Sequence, residues 1–445
     1  MLARVWRALS APSSAWPLAL LRIAVCLILL ISPEPRQALA AAAQPPALWL
    51  APPGLAWFLP VFAWSAPHLG LVSSILQASA LLALIGLWTR ASLAVLACCF
   101  VLLFGGAQLS GAVLHDMHLL WFLLLLLVSP AARVLSLDAW AEGQGWLGVA
   151  RSSDAALATH AARALLGCVY FFPGLHKLLA GGFTWMASEN LKHQLWLKWF
   201  QAGGVVPWPR VDTAPLWLSL AGAAVLLFEL GFLPCLGWRR GRALALALGL
   251  AFHAGTQHFL YIPFSSLWAC YVLLWDGPRA STEHSLAAGP ARSTLLVALV
   301  GGTLLTLVSV QGLRGETQSW PFACYPTFAQ RAPSAIADLA VEVQPPGAPV
   351  QVLREGPLPA PAGAPRSPGR VPAQWSKVWR LAGLYGDPIS RRRLEAFASE
   401  LSSRAPAVPI PAGSDVRFYV ESYATDPARY GGPPLQRRLL YEARF

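Results

Sequence analysis

Nine apolar runs separated by short loops leave this chain few ways to fold. They are Trp16–Ser32, Leu71–Trp88, Ala91–Leu109, His118–Val134, Ala156–Leu178, Pro215–Leu236, Ala243–Tyr261, Pro263–Trp275 and Thr294–Gly312. Most approach the length of about 20 residues that carries a helix across a bilayer. A segment in lipid must satisfy its own backbone hydrogen bonds, and runs without two-residue alternation do so as helices. The expectation is an all-α polytopic membrane domain of eight or nine helices. Nine holds if Pro263–Trp275 crosses, and eight if it joins the preceding run through a kink at Pro263. Trp16–Ser32 with Ala38-Leu39-Ala40 downstream has the shape of a cleaved signal, but Arg22 inside the run and the spans that follow favour a retained helix. Pro45–Pro67, rich in Trp and Pro, reads as interfacial and too broken to span.

Charge divides the chain. Only 12% of residues are charged, about half the usual share for a soluble domain. The shorter region 313–445 holds 16 of the 33 Lys and Arg and 11 of the 21 Asp and Glu. The boundary therefore falls at 312, with a membrane domain over 1–312 and a small water-exposed domain over 313–445. The net charge of +12 is shared by both regions without a basic face, which argues against nucleic acid and for membrane-surface and topology charge. Arg4, Arg7, Arg90, Arg133, Arg151, Arg239, Arg240, Arg242, Arg279 and Arg292 fall on one side when nine spans are threaded. By the positive-inside rule that side is the cytoplasm, which leaves the N-terminus inside and 313–445 extracytoplasmic. The outer loop 181–213 is the exception. Its Trp185–Phe200 stretch interleaves Trp and Leu with Lys and His, as a helix lying on the membrane would. Seven cysteines with no C-x-x-C pair give neither a disulfide framework nor a zinc site.

The C-terminal region reads as a small α+β module. Asp338–Leu353 alternates weakly, Gly356–Pro372 is a Pro/Gly/Ala linker, and Arg391–Arg404 has the apolar stripe of a helix. Val416–Tyr423 alternates like a strand, with Leu435–Phe445 as its antiparallel partner.

Polar residues inside the membrane domain gather toward the outer leaflet. They are His115, Asp116 and His118, then His176 and Lys177, then His253, Gln257 and His258, with Glu229 inside a span. An ammonium at a helix centre costs roughly 2.5–3.5 kcal/mol even on lenient insertion scales, so Lys177 is near an interface, paired or functional. A snorkelling lysine is the plain alternative, and Glu229 is either a packing hydrogen bond or the partner of a buried cation. His115 and His118 have the spacing of one helical face, but two histidines without a third ligand cap or hydrogen-bond more often than they bind metal, so no metal is expected. His253 and His258, five apart, diverge on a regular helix. A lysine neutralised by desolvation is a base suited to a lipid-soluble phenol or hydroquinone, and a nearby histidine can relay the proton.

Arg22 in Ala19-Leu20-Leu21-Arg22, the run Tyr170-Phe171-Phe172-Pro173-Gly174-Leu175-His176-Lys177-Leu178, then Phe228-Glu229-Leu230-Gly231-Phe232 and Ala251-Phe252-His253 come in order. Together they resemble the HTTM family, bacterial membrane relatives of vitamin K-dependent gamma-carboxylase, over roughly residues 13–280. The resemblance implies a membrane enzyme with an externally facing site. Such an enzyme oxidises reduced vitamin K with O2 and uses the base so formed to take a glutamate γ-proton before CO2 adds. It implies Lys177 as the base on the hydroquinone and His118 as partner in the carboxylation step, with His253 matching a Phe-His of a later span. His176 stands where the carboxylases tend to have a second lysine, and 313–445 shows no match to their large lumenal region.

The expected function is therefore a carboxylase-like integral protein of a bacterial inner membrane. Lys177 and His118 are its catalytic candidates, and His176, His253, Gln257 and His258 line the site of a reduced vitamin K or another quinol. Its partners would be membrane lipid, the quinol and an extracytoplasmic protein or peptide substrate. The rival from another class is a non-catalytic scaffold, or an export or maturation accessory protein, that holds a partner through 313–445. A transporter is the third reading, but it calls for polar residues through the full depth of the membrane.

Overall fold

A computed structural model describes residues 9–43, 49–52, 54–109, 116–143, 146–147, 151–278, 291–315, 319–323, 328–354 and 411–444. The membrane domain comprises helices α1 (Trp16–Ile31), α2 (Glu34–Ala42), α3 (Ala56–Ile85), α4 (Thr89–Ala107), α5 (Met117–Val128), α6 (Leu137–Ala141), α7 (Ser153–Gly181), α8 (Ser188–Gln201), α9 (Pro215–Cys235), α10 (Arg239–Leu260), α11 (Ser265–Leu274) and α12 (Ala291–Arg314). Strands β1 (Ser13–Ser14) and β2 (Arg151–Ser152) pair antiparallel and tie the start of α1 to the start of α7.

Among the described residues, six helices are long and apolar enough to cross a membrane. The number rises to seven if α1 and α2, bent by 43° at the break between them, form one span. This falls short of the eight or nine helices expected, chiefly because α5 and α11 are short helices. The chain turns after α5 where Pro130 pushes Ser129 into extended backbone. Left-handed residues Tyr261 and Phe264 flank Pro263 before α11. Almost all of α5 is buried among its neighbours, so its apolarity serves a protein core rather than a lipid face. Pro45–Pro67 also differs from expectation, since its second half is helical and opens α3. Pro60 and Pro67 are tolerated there because each stands in the first turn of a helical segment, where no N–H is needed.

The stretch read as a membrane-surface helix, α8, is instead a bridge. Trp199 packs with Leu195 and Leu218, and its indole donates to Phe259 O at 2.8 Å, fixing α8 to α9 and α10. On its other side Phe200 packs with Ile336, Tyr423 and Tyr430 of the C-terminal region. That region is a four-stranded antiparallel sheet of β3 (Ala335–Gln344), β4 (Gln351–Arg354), β5 (Asp415–Ala424) and β6 (Gln436–Arg444) in the order β4-β3-β5-β6. Val341, Val343, Val416 and Phe418 are buried at two-residue spacing, the period of a sheet with one covered face. The strands expected around 338–353, 416–423 and 435–445 are these. The linker and helix expected at 356–372 and 391–404, and Cys324, lie outside the described residues.

Charged side chains fasten the helix ends opposite the sheet. Arg22, fully buried in α1, donates to Ala83 O at 2.7 Å and to Leu135 O, capping α3 and holding the loop after α5. Gly86 ends α3 in the left-handed conformation, and a Cβ there would lie 2.4 Å from Arg22 Nη1. Asp276 accepts from both Arg163 of α7 and Arg242 of α10. Burial alone would raise its carboxyl, but the hydrogen bonds from Arg242 and Arg163 outweigh that and hold it below the ordinary carboxylate range.

Arg22→Met keeps the apolar stem but strands two carbonyls. At about 1–3 kcal/mol for each buried group left unsatisfied, it should lose roughly 2–5 kcal/mol of stability. Unfolding in mixed micelles measures this, and a variant as stable as the parent would show that the arginine is not holding these ends.

Candidate functional site

Helix α7 begins where the Ser152 hydroxyl accepts the Ala155 N–H and ends where Gly182 turns to positive φ. Tyr170 and Lys177, seven residues apart, lie on one face two turns distant. Gly167 and Gly174 repeat the same spacing and form the seam with α9. A Cβ on Gly167 would meet Leu233 Cδ1 at 2.4 Å, and one on Gly174 would meet Glu229 Cβ at 2.8 Å. Small residues at such a crossing let two backbones approach closely, and here the approach brings Glu229 to Lys177.

Lys177 and Glu229 form a buried ion pair, their side chains 4% and 5% exposed. The ammonium also sits 5.2 Å from the ring centroid of Trp185, just past the end of α7. That indole donates to Phe328 O at 2.8 Å, so the segment leading to the sheet fixes the aromatic wall of the site. The apolar-surface lysine expected from sequence is thus a paired one, and Glu229 is the partner of a buried cation. Glu229 Oε2 is buried and has no hydrogen-bond partner among the described residues, so it is an acceptor in need of a donor.

One layer deeper on the same face of α7, the Tyr170 hydroxyl lies 2.7 Å from His253 Nε2 and 2.9 Å from Tyr271 Oη. Phe228, Phe232 and Phe252 pack round it. His253 Nδ1 is buried without a partner among the described residues. Tyr170 and Tyr271 escaped the sequence reading because a tyrosine in an apolar run passes for core. The available signal was Tyr170's seven-residue offset from Lys177.

His118, fully buried on α5, faces the Ser266 carbonyl with Nε2 at 3.1 Å. A carbonyl only accepts, so Nε2 carries the hydrogen in this contact. The contact joins His118 to α11, the helix that also brings Tyr271 to Tyr170. His176 points away from this face and donates from Nε2 to Gly312 O at 2.6 Å, linking α7 to α12. His258 donates to Trp208 O at 2.8 Å, and both it and Gln257 are exposed. Of the histidines singled out, His253 thus joins the layer beneath Lys177, whereas His176 and His258 tie helix ends to neighbouring segments. His115 lies outside the described residues.

The sequence profile of the HTTM domain matches residues 11–274. The chain belongs to the HTTM domain family. The matched span takes in Lys177, Glu229, Trp185, Tyr170, His253, Tyr271 and His118 and ends with α11, so Phe328, α12 and the sheet lie beyond it. No curated protein and no solved structure matches the chain. The HTTM domain is thus a mostly helical, integral membrane unit with a buried lysine–glutamate pair near one end of α7.

Removing one member of that pair leaves the other charge buried and alone. Lys177→Met or Glu229→Leu should each cost about 3–5 kcal/mol, while the double variant should fall within about 1 kcal/mol of the parent. Unfolding of the three variants in mixed micelles gives the coupling, and additive losses would show that the two side chains do not depend on each other.

Proposed function

We propose that the protein is a vitamin K-dependent carboxylase-like membrane protein that binds a quinol beside Lys177 on the extracytoplasmic side. The observation that carries this reading is the Lys177–Glu229 pair with its unpartnered Oε2, walled by Trp185 and backed by the Tyr170–His253–Tyr271 layer. A reduced naphthoquinone fits these residues: it is flat and apolar with hydroxyl donors, and the site offers an aromatic wall and a lone carboxylate acceptor. When bound, such a quinol would supply the reducing equivalents for chemistry with O2.

The protein's own residues handle the proton. In the resting pair the ammonium is held against Oε1, where an amine base is silent. Passing that proton from Nζ to Glu229 leaves a neutral amine and a neutral acid. Nζ then has the lone pair that a base requires, and Oε2 orients a hydroxyl toward it. Trp185 covers the amine. His118 is the second proton-handling group, and Tyr170 fixes His253 below. His176 keeps a structural part.

The outward placement has its own support. The start of α1, the Arg22 cap and the Arg163–Asp276–Arg242 cluster share one end of the domain with most loop arginines. The sheet docks on α8 at the other end. With the arginine-rich end in the cytoplasm, Lys177 and the sheet face outward. The same threading takes the chain from end to end nine times, with α5, largely buried among its neighbours, and α11 as the two short passes.

The test uses the full chain in lipid nanodiscs with a reduced naphthoquinone, O2, labelled bicarbonate and short glutamate peptides. Epoxide formation is expected, falling by about 10²–10⁴-fold in Lys177→Ala, and label in the peptide would establish carboxylation. Absence of quinone binding, unchanged by the substitution, would overturn the reading in favour of a membrane scaffold that holds a partner through the sheet.

A further inference from the structure

A second pair of ionisable side chains meets away from Lys177. Glu34 follows the break between α1 and α2, and Asp116 immediately precedes α5. Glu34 is buried, and the two carboxyls are hydrogen-bonded to each other. An ionised carboxylate only accepts, so this bond exists only when the pair holds a proton. Two like charges at this distance could not both be ionised without strong repulsion. The Ser32 hydroxyl donates to Glu34 Oε2, and a side-chain hydrogen bond joins Asp116 to Ser266. Ser266 thus holds Asp116 through its side chain and His118 through its carbonyl.

Two further observations point to what the pair exchanges. A cavity of about 250 Å³ opens at the α1–α2 break, with Ser32, Arg36, Ser73 and Gln77 among its lining. Its lining mixes these polar groups with Leu29, Ile31 and Leu76, and it is large enough for several waters at about 30 Å³ each. Ser32 both lines this cavity and bonds Glu34. Independently, Gln108 is fully buried with its amide nitrogen 3.1 Å from Met117 Sδ, between Asp116 and His118 in the chain. Its Oε1 has no partner among the described residues and needs a donor. Around the pair stand Arg36 along the cavity, His118, and Cys270, whose thiol donates to Ser266 O at 3.1 Å.

We propose that Glu34 and Asp116 are a proton-binding site, loaded from the membrane interface through this cavity, that sets the charge beside His118. With one proton the pair carries one negative charge and favours an imidazolium at His118. With a second proton, delivered by way of Ser32, both acids are neutral and that support is withdrawn. No bond other than those to the moving proton changes. The consequence for His118 rests on the proposed function; the proton site itself does not.

Infrared spectroscopy of the full chain in nanodiscs tests it without turnover. The parent should show a protonated-carboxyl C=O band that persists above about pH 6, where exposed carboxyls, with pKa values of about 3.9 for Asp and 4.3 for Glu, are ionised. The band should shift in D2O and be lost in both Glu34→Gln and Asp116→Asn, because an amide donor makes the shared proton unnecessary. Ser73→Leu, which fills the cavity, should slow the D2O shift several-fold. A parent without the band, or a band that persists in both variants, overturns the proposal. Should a single variant fail to fold, the double variant Glu34→Gln/Asp116→Asn, whose amides can bond each other, gives the same reading. Lys177→Ala should leave this component of the band in place, so failure of the quinol chemistry and failure of the proton site are told apart.

Discussion

The cost of an unpaired charge away from water governs how the membrane domain is put together. Arg22, Lys177 and Arg163, all deeply placed, each find a partner remote in sequence. Arg22 reaches carbonyls 61 and 113 residues away, Lys177 meets Glu229 at a separation of 52, and Arg163 meets Asp276 at 113. Lipid supplies no hydrophobic force to drive one apolar helix against another, so van der Waals fit and such polar ties decide which helices touch and in what register. The glycine seam of α7 provides the fit, and Lys177–Glu229 fixes the register there. Neither device suffices alone, because a close crossing without the pair leaves both charges costly and a pair without the seam holds its helices too far apart.

That same constraint explains why much of the fold was legible. Long apolar runs with arginines between them have few other structures open to them, and α1, α4, α7, α9, α10 and α12 lie where those runs lie. Helices α5 and α11 were misjudged in length because burial in protein and burial in lipid ask for the same residues. Only the turns, at Pro130 and around Pro263, say where such a helix stops. The α8 stretch misled for a related reason. Its Trp and Leu read as a lipid-facing stripe, yet Trp199 and Phe200 are buried against α9, α10 and the sheet. Strands β3, β5 and β6 were legible because two-residue alternation has no helical counterpart.

At the site, legibility followed chemistry rather than position. Lys177 and Glu229 stood out as charges in apolar runs, but nothing in one sequence says that residues 52 apart touch. Tyr170 and Tyr271 were hidden because their rings belong in a core and only their hydroxyls make a network. Glu34 was hidden for the opposite reason. Standing between Pro33 and Pro35 outside the apolar runs, it drew no reading, while the first turn of α2 buries it against Asp116.

The sheet lies outside the matched family domain, yet it is not mechanically separate from the site. Residues between α12 and β3 pack on α5, α8 and the turn just past α7. Pro321 O accepts from the Trp121 indole, one turn along α5 from His118, and Phe322 stacks on the same ring. Phe328 O accepts from Trp185, Gln330 O from Gln194, and the Ala332 N–H is given to Asn190. These contacts place Pro321, Phe322, Phe328, Gln330 and Ala332 against neighbours of both His118 and Lys177. Hydrogen bonds thus join residues that lead into the sheet to the indole that covers the buried amine. The groups that these residues hold are therefore among those that decide how closely Lys177 is covered.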